Sequence, residues 1–297
     1  MHSSMKRSRP LLIWPWSWSV CGGRSLRYAV RWPWLAVLRA LCFACLALAG
    51  CRAPVPTRDE VVVNQAAQAL PFREPDEHGW GSAGDLRFLE MVTKGADRSQ
   101  ALPWVVLIHG MGDAPSLDWL ELVAVDVPVR VIMPQAPYPH GTGYSWFTYN
   151  IDGENPPQQL ADGITSAMQR IEQVIDSIPL HRKCVGRPIA MGFSQGGMLS
   201  YALAVQAAPR VRFAVPIAGF LPEPLWPTAP TSNAPTIRAL HGTADTVVPI
   251  AGARALTERL TQLGYDAQLV AFPNLGHSVS IELQARVNAL LQPELHR

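Results

Sequence analysis

Short apolar runs alternate with amphipathic stretches along the chain from residue 86 to residue 291. The runs are four to seven residues long and rich in Val, Ile and Leu, which is typical of strands buried on both faces. They cover Leu86–Val92, Trp104–Ile108, 129–133, 188–191, Phe213–Ile217, 237–240 and 269–272. The amphipathic stretches predict helices at 117–125, 159–178, 251–263 and 281–291. Buried strands separated by helices indicate an α/β domain, with a mostly parallel sheet covered by helices on both faces.

The first 50 residues have a different pattern, with seven Lys and Arg, no acid, and an uncharged apolar run at 40–50. A basic segment before an apolar run too short to span a bilayer comfortably is typical of an export signal. The run ends in Leu48-Ala49-Gly50-Cys51, which resembles the lipobox of bacterial lipoproteins and predicts a lipid on Cys51. A plain signal peptide or an uncleaved anchor is the alternative. We therefore expect a lipid-anchored protein of the bacterial cell envelope. By resemblance to well-studied envelopes, Arg52 favours the outer membrane over the inner one.

The rest of the chain is expected to hold a tether at 51–70 and one domain at 71–297. From Cys51 onward there are 18 Lys and Arg against 23 Asp and Glu, so no basic surface points to nucleic acid. Cys184 is then the only other cysteine, which leaves no disulfide within the chain if Cys51 carries lipid. We interpret Cys184 as structural. Scattered histidines and the lack of a phosphate loop predict neither a metal nor another cofactor.

One serine lies among glycines where a strand is expected to end and a helix to begin. Gly192-Phe193-Ser194-Gln195-Gly196 matches G-x-S-x-G, the nucleophile elbow. In such a turn the serine is strained and exposed, and small residues on either side avoid clashes. A glycine-rich packing turn is the alternative. The apolar run before the motif and the apolar helical stretch after it favour Ser194 as a nucleophile.

A serine nucleophile needs a histidine base, which an acid orients. In an elbow-bearing fold these residues follow the serine in the order acid, then histidine. Of the three later histidines, His241 precedes every later aspartate and His296 is at the terminus. His277 therefore remains as the base. The alternative is a histidine that lies on the surface or caps a helix.

Two aspartates follow Ser194 and could serve as the acid. Asp245 comes directly after a predicted strand, whereas Asp266 precedes one and would lie at the wrong edge of the sheet. The sequence therefore predicts Asp245 as the acid, with an Asx-turn or a cap as the alternative.

An oxyanion hole requires two backbone N–H groups near the nucleophile. The Gln195 amide, at the start of the helix after Ser194, is the first candidate. The glycine-rich loop at 107–113 follows an early strand, and its Met111 amide is the second. We expect His109 in this loop to pack in the turn and to take no part in the chemistry.

Further motifs occur in order between about residues 104 and 291. They are Gly192-Phe193-Ser194-Gln195-Gly196-Gly197, the loop at 107–113, Pro134-Gln135-Ala136-Pro137, Ser145-Trp146-Phe147, Ala218-Gly219-Phe220-Leu221-Pro222, His241-Gly242 with Asp245 and Val248-Pro249, and Gly276-His277-Ser278. Together they resemble the acyl-protein thioesterase/carboxylesterase branch, the phospholipase/carboxylesterase family, of the α/β-hydrolases. The resemblance implies that fold and hydrolysis of carboxylic esters or thioesters without a cofactor. It also implies Ser194 as nucleophile, Asp245 as acid and His277 as base.

The resemblance further implies a small-molecule ester substrate, with Trp146, Phe220 and Leu221 at its pocket. Exported polyester or feruloyl esterases and dienelactone hydrolases share the elbow and form the alternative within this class of enzymes. The latter usually carry cysteine where this chain has Ser194. The alternative of another class is a lipoprotein that uses the fold for binding alone. The sequence makes no prediction of oligomeric state.

Overall fold

The computed structural model describes residues 70–148, 156–229 and 231–297, all of which belong to one compact unit. The strands in these residues are β1 (Phe72–Arg73), β2 (Trp80–Ala83), β3 (Leu86–Val92), β4 (Trp104–Ile108), β5 (Arg130–Pro134), β6 (Tyr138–His140), β7 (Gly143–Ser145), β8 (Ile189–Phe193), β9 (Phe213–Ile217), β10 (Thr236–Gly242) and β11 (Ala267–Phe272). The α-helices are α1 (Pro156–His181), α2 (Gln195–Val205), α3 (Ile250–Gln262) and α4 (Ile281–Leu295). Short 3₁₀-helices lie at Leu117–Val123, Ala208–Arg210 and Glu223–Leu225.

Nine strands form one sheet in the order β1-β2-β3-β5-β4-β8-β9-β10-β11, and β6 pairs with β7 in a separate hairpin. The six strands from β5 to β11 in this order are parallel, whereas β1, β2 and β3 extend the sheet by antiparallel pairs. The parallel strands all end at one edge of the sheet, which we call the carboxyl edge. Loops from non-adjacent parts of the chain therefore meet there, as in other open α/β sheets.

Helices cover both faces of this sheet, as the sequence predicts. Buried side chains of α1, α2 and α3 pack on one face, and those of α4 and the 3₁₀-helix at Leu117–Val123 pack on the other. Strand β4 contributes alternate residues to the two layers, Val106 and Ile108 to the first, and Val105 and Leu107 to the second. This explains why β4 is apolar throughout its length.

The strand and helix predictions from residue 86 onward are confirmed, with shifts of a few residues at the ends. The exception is 117–125, where a 3₁₀-helix at Leu117–Val123 replaces the predicted helix. Over nine residues, apolar spacing does not distinguish the three-residue turn of a 3₁₀-helix from the 3.6-residue turn of an α-helix, so the pattern could not separate the two. The sequence pattern did not indicate β1, β2, β6 or β7, because strands of two to four residues are too short to show a period.

The predicted signal at 1–50, the lipid site at Cys51 and the tether at 51–70 lie outside the described residues, except for Leu70. Their boundaries stay predictions. Within the described ranges, no helix is both long enough and apolar enough to cross a membrane.

A buried ion network ties the antiparallel strands to the parallel ones. Glu90 in β3 pairs with Arg130 in β5, and both side chains are completely buried. Arg182, just after α1, donates to both carboxylate oxygens of Glu90 at 3.0 Å. A second nitrogen of Arg130 donates to the carbonyl oxygens of Arg98 and Gln100. Arg182 also pairs with Glu74 at 2.7 Å, so loss of the Glu90 carboxylate would leave Arg130 as a buried cation without a counter-ion.

We therefore expect Glu90→Gln to lower the free energy of unfolding by about 3–5 kcal/mol, the usual cost of breaking a buried ion pair. Urea unfolding measures this value. The matched control is Asp266→Asn, because the pair of Asp266 and Arg238 has an exposed carboxylate and should be worth about 1 kcal/mol or less. Equal losses in the two variants would show that burial of the Glu90 network does not set its contribution.

Candidate active site

The elbow is a sharp turn from β8 into α2 with Ser194 at its tip. Ser194 has φ 58° and ψ −115°, which is a strained conformation for a residue with a side chain. Two backbone hydrogen bonds hold it there. Its N–H donates to the Ile217 carbonyl at 2.9 Å, and its own carbonyl accepts from the Met198 N–H at 3.0 Å. The strained turn exposes the Ser194 hydroxyl at the carboxyl edge.

The two glycines of the motif allow neighbouring backbone segments to approach. A Cβ on Gly196 would lie 2.0 Å from the Ile108 carbonyl oxygen, and one on Gly192 would lie 2.4 Å from the same atom. Both distances are far below van der Waals contact. Any side chain at either position would force β4 and the elbow apart.

The structure brings Ser194, His277 and Asp245 together in one hydrogen-bonded chain. His277 Nε2 is 2.9 Å from Ser194 Oγ, and His277 Nδ1 is 2.7 Å from Asp245 Oδ2. Because an ionised carboxylate only accepts, Nδ1 carries the proton and Nε2 accepts from the serine hydroxyl. The three residues follow β8, β10 and β11 at the carboxyl edge, as the sequence predicts.

Asp245 is held as a buried anion. Its side chain is fully buried, and burial alone would raise its pKa. The hydrogen bonds from His277 and from the Val248 and Val247 amides outweigh burial, so the pKa of Asp245 lies below its usual value. These amides donate to Oδ1 at 2.8 and 3.0 Å. The carboxylate therefore stays ionised at neutral pH with both oxygens fixed.

A second histidine, His241, lies next to Asp245, although its position in the sequence excluded it as the base. Its Nε2 donates to the Val248 carbonyl at 2.7 Å and lies 3.4 Å from Asp245 Oδ2. The side chain is buried, and burial lowers its pKa, so the ring is neutral. The ring thus supports the turn that presents Asp245. The four-residue spacing of His241 and Asp245 was the available signal, but spacing alone does not identify this contact.

The side chain of Gln195 fastens the segment at 145–147 to the start of α2. Its Oε1 accepts from the Trp146 N–H at 2.9 Å and from Ser145 Oγ at 3.2 Å, and its Nε2 donates to the Phe147 carbonyl at 3.0 Å. Trp146 in turn donates its ring N–H to the His109 carbonyl at 2.9 Å. The sequence predicted only a role for the Gln195 backbone, and this bracing by the side chain is new.

His109 packs in its turn, as expected. Its Nδ1 donates to the Gly110 carbonyl at 2.7 Å, and its Nε2 accepts from the Ala136 N–H at 3.1 Å. Burial lowers its pKa, in agreement with this neutral arrangement. Both ring nitrogens are therefore used within the fold.

The loop at 107–113 borders Ser194. A Cβ built on Gly110 would lie 3.3 Å from the Ser194 Cβ, and Met111 is the next residue. The Met111 side chain is exposed, while the Gln195 amide is the first of α2. The assignment of the Met111 and Gln195 N–H groups to an oxyanion hole stays a prediction.

The residues expected at the substrate pocket lie mainly in the core. Trp146 and Leu221 are each 1% exposed, and Phe220 packs beside them, close to Gly252 of α3. Their role in substrate binding stays a prediction. A separate cavity of about 610 Å³ lies between α3 and β11, where Arg254 and Leu269 help to line it, and none of the triad borders it.

The remaining chemical candidates lie elsewhere. Asp266 pairs with Arg238 at the start of β11, the edge opposite Ser194. Burial raises the pKa of the Cys184 thiol to about 11, so it is protonated at neutral pH. In the part of the chain that the structure describes, no group of three or more His, Cys, Asp or Glu is placed to hold a metal ion.

Comparison with known sequences supports the resemblance. The family model described as phospholipase/carboxylesterase matches residues 89–292. Acyl-protein thioesterase 1 from Eremothecium gossypii is 28% identical over 232 residues, which cover 67% of this chain and 92% of that protein. Esterase YpfH from Escherichia coli is 27% identical over 184 residues, which cover 59% of this chain and 75% of that protein.

Solved structures show the same fold. The crystal structure of esterase PE8 superposes with a TM-score of 0.58 at 24% identity and covers 67% of this chain and 95% of that one. The structure of Zea mays acyl-protein thioesterase 2 gives a TM-score of 0.54 at 20% identity, and the match covers 69% of this chain and 98% of that one. At these identities the likeness concerns the arrangement of the backbone.

The two buried neutral histidines predict that the protein loses stability as the pH falls below about 6.5. Burial lowers the pKa of His109 and His241 in the folded protein, whereas the unfolded chain takes up these protons near the ordinary histidine value. Their contribution to stability is therefore full above that value and declines below it. The expected slope is about 1.4 kcal/mol per pH unit for each histidine.

Urea unfolding at pH 7.5, 6.5 and 5.5 measures this dependence. His241→Gln removes one titrating group. Below pH 6.5 it should reduce the slope of unfolding free energy against pH by about 1.4 kcal/mol per pH unit. His109→Gln should do the same, and the double variant should be flatter still. A wild-type slope that persists in the double variant would contradict this assignment.

Proposed function

Since the chain belongs to the phospholipase/carboxylesterase family of α/β-hydrolases, we propose that this hydrolase cleaves carboxylic esters through a covalent acyl-enzyme on Ser194. The observation that supports the proposal most directly is the hydrogen-bonded chain from Ser194 Oγ through His277 to Asp245. A structural serine does not require a strained turn, an adjacent imidazole and a buried carboxylate in this order.

In the first half of the reaction, Ser194 Oγ attacks the ester carbonyl carbon while its proton passes to His277 Nε2. Asp245 stabilises the imidazolium that forms, since its carboxylate already accepts the Nδ1 proton. The carbonyl oxygen becomes an oxyanion, for which the Gln195 and Met111 amides are the proposed donors. Collapse of the tetrahedral intermediate breaks the bond to the leaving alcohol, which takes the proton from His277.

The second half repeats these steps with water as the nucleophile. Water gives a proton to His277 Nε2 and attacks the acyl carbon, and the acid product leaves as Ser194 recovers its proton. Atoms and charge balance without a metal or an organic cofactor. Thioesters can follow the same path, and relatives named acyl-protein thioesterase make them the second substrate class to test. Matched acyl esters and thioesters of graded chain length would separate the two classes.

We also infer that Cys51 carries a lipid that anchors the protein in a bacterial envelope, where Arg52 favours the outer membrane over the inner one. The support is the position of Leu48-Ala49-Gly50-Cys51 where an apolar run ends. A single cysteine at the start of the mature chain is where lipoproteins attach their acyl chains, which bind membranes by burial of CH₂ groups.

The mechanism predicts that a fluorophosphonate labels Ser194 and no other serine of the native protein. Urea-unfolded protein should not react, because only the fold supplies the base and the oxyanion donors. Ser194→Ala should abolish labelling and lower ester turnover by roughly 10³-fold or more. Peptide mapping after labelling identifies the modified residue. An adduct on another serine, or normal turnover in Ser194→Ala, would end the serine-hydrolase proposal.

Two aspartate variants provide the matched control for the acid. Asp245→Asn should fold and lose about 10⁴-fold in turnover, since an amide neither fixes the His277 tautomer nor stabilises its cation. Asp266→Asn, at the opposite edge, should retain turnover. The reverse result would transfer the role of the acid to Asp266.

A lipid on Cys51 predicts that the Cys51→Ser variant is not acylated. Growth with a radiolabelled fatty acid should label the wild-type chain and not the variant. Membrane fractionation should then find mature wild-type protein in the membrane pellet. Unlabelled wild-type protein free in the periplasm would contradict the inference, and it would leave the proposal for Ser194 unaffected.

A further inference from the structure

Exposed apolar side chains are concentrated at the edge of the sheet where Ser194 lies. Among the described residues, eight large apolar side chains are exposed to solvent. Leu180 and Val185 lie at the end of α1 and just before β8, at the opposite edge. The other six follow the carboxyl ends of strands, and we call them the rim: Met111, Leu117, Tyr138, Val247, Val279 and Ile281. Their shared position at one edge of the sheet makes this edge the candidate for an apolar binding surface.

The triad holds part of the rim in place. Val247 is two residues after Asp245, and its N–H donates to Asp245 Oδ1 at 3.0 Å. Val279 is two residues after His277, and Met111 lies in the loop that borders the nucleophile. Val247 nevertheless exposes 67% of its surface. These apolar groups therefore lie next to Ser194, His277 and Asp245, on loops that the triad helps to hold in place.

Two more members of the rim lie side by side. Leu117 begins the 3₁₀-helix at Leu117–Val123, and Ile281, 86% exposed, begins α4. Gln284 and Asn288 of α4 donate to the Glu121 carbonyl at 2.9 and 3.2 Å. These hydrogen bonds hold the 3₁₀-helix and α4 side by side, and both helices begin at the carboxyl edge. Leu117 and Ile281 therefore project from neighbouring helix starts.

Aromatic rings extend this apolar surface inward to the triad. The Trp119 and Phe193 ring centroids are 6.3 Å apart, and those of Phe193 and His277 are 4.7 Å apart. The rim thus continues to the imidazole next to Ser194, so a surface that covered the rim would also face the nucleophile.

The strand register shows that the chain approaches the domain from this same edge. Phe88 pairs with Pro134, the last residue of β5, so Leu86 at the start of β3 lies at the carboxyl edge. Ala83 pairs with Leu86 and also with Phe72. Since β1 is antiparallel to β2 and runs away from this edge, Leu70 and Pro71, which precede Phe72, lie at the carboxyl edge.

The segment at 51–69 therefore connects the predicted lipid site to the carboxyl edge. Nineteen residues span at most about 65 Å when fully extended. A lipid on Cys51 would keep the rim within that distance of a bilayer. From Cys51 onward the chain has five more acidic than basic residues, which disfavours attraction to anionic headgroups and leaves apolar contact as the attractive term.

We propose that the rim docks on the surface of a lipid bilayer and holds the opening at Ser194 against it. Docking gives the enzyme access to esters dissolved in the lipid, and this part of the inference rests on the proposed function. Docking itself is a binding event and can be measured without turnover. The proposed partner of the rim is the bilayer surface. Binding of a second copy of the chain or of a soluble substrate at the rim would contradict the proposal.

Amide hydrogen exchange of the full chain in phosphatidylcholine vesicles tests the proposal. All proteins carry Ser194→Ala, so that no result depends on hydrolysis. The readout is exchange at 110–118, which contains Met111 and Leu117 and is unchanged in sequence by the test variants. The rim variant is Val247→Asp with Ile281→Asp. The matched control is Leu180→Asp with Val185→Asp, two exposed apolar sites at the other edge.

Residues 110–118 should exchange at least about tenfold more slowly in the Ser194→Ala protein and in the control protein than in the rim variant. Exchange in β8 and β9 should be the same in all three, which shows that the rim variant is folded. Equal exchange at 110–118 in all three proteins would overturn the proposal. Slowing that increases with protein-to-lipid ratio would also overturn it, because a second copy would then cover the rim.

Discussion

The close backbone contact between the elbow and β4 is the constraint on which the site depends. Because a Cβ at Gly196 would lie 2.0 Å from the Ile108 carbonyl oxygen, α2 can begin against β4 only with glycine there. That contact fixes the direction of α2 and leaves Ser194 in a strained turn above the sheet. The ends of β10 and β11 then bring Asp245 and His277 to the same edge. The chemistry thus depends on how closely two main chains can pack.

Much of this arrangement could be predicted from the sequence because it follows from local rules. The glycines around Ser194 fix the elbow, and the order of residues along the chain separates Asp245 from Asp266. Apolar runs predict the buried strands, since a parallel sheet with helices on both faces buries both sides of each strand. The same reasoning failed at Leu117–Val123, because apolar spacing over so few residues does not separate a 3₁₀-helix from an α-helix.

Contacts between distant residues could not be predicted in this way. The carboxamide of Gln195 binds the segment at 145–147, some fifty residues earlier, and no periodic pattern records such a bond. His241 was set aside by its position before the acid, yet its ring supports the acid's turn. Both side chains share one physical trait. They are polar groups in the core whose hydrogen bonds are satisfied only when the carboxyl-edge loops are in place.

The complete burial of α2 has a consequence for how new specificities can arise on this scaffold. All eleven of its residues are buried, so a changed side chain there alters core volume before it alters any surface a substrate meets. Diversity introduced into α2 by random mutagenesis would largely be removed as unfolded protein. Productive variation is confined to the loops at the carboxyl edge, where side chains such as Val247 and Val279 are exposed and can change without altering the core. The helix behind Ser194 is thus fixed by core packing, and the loops are the adjustable part of the scaffold.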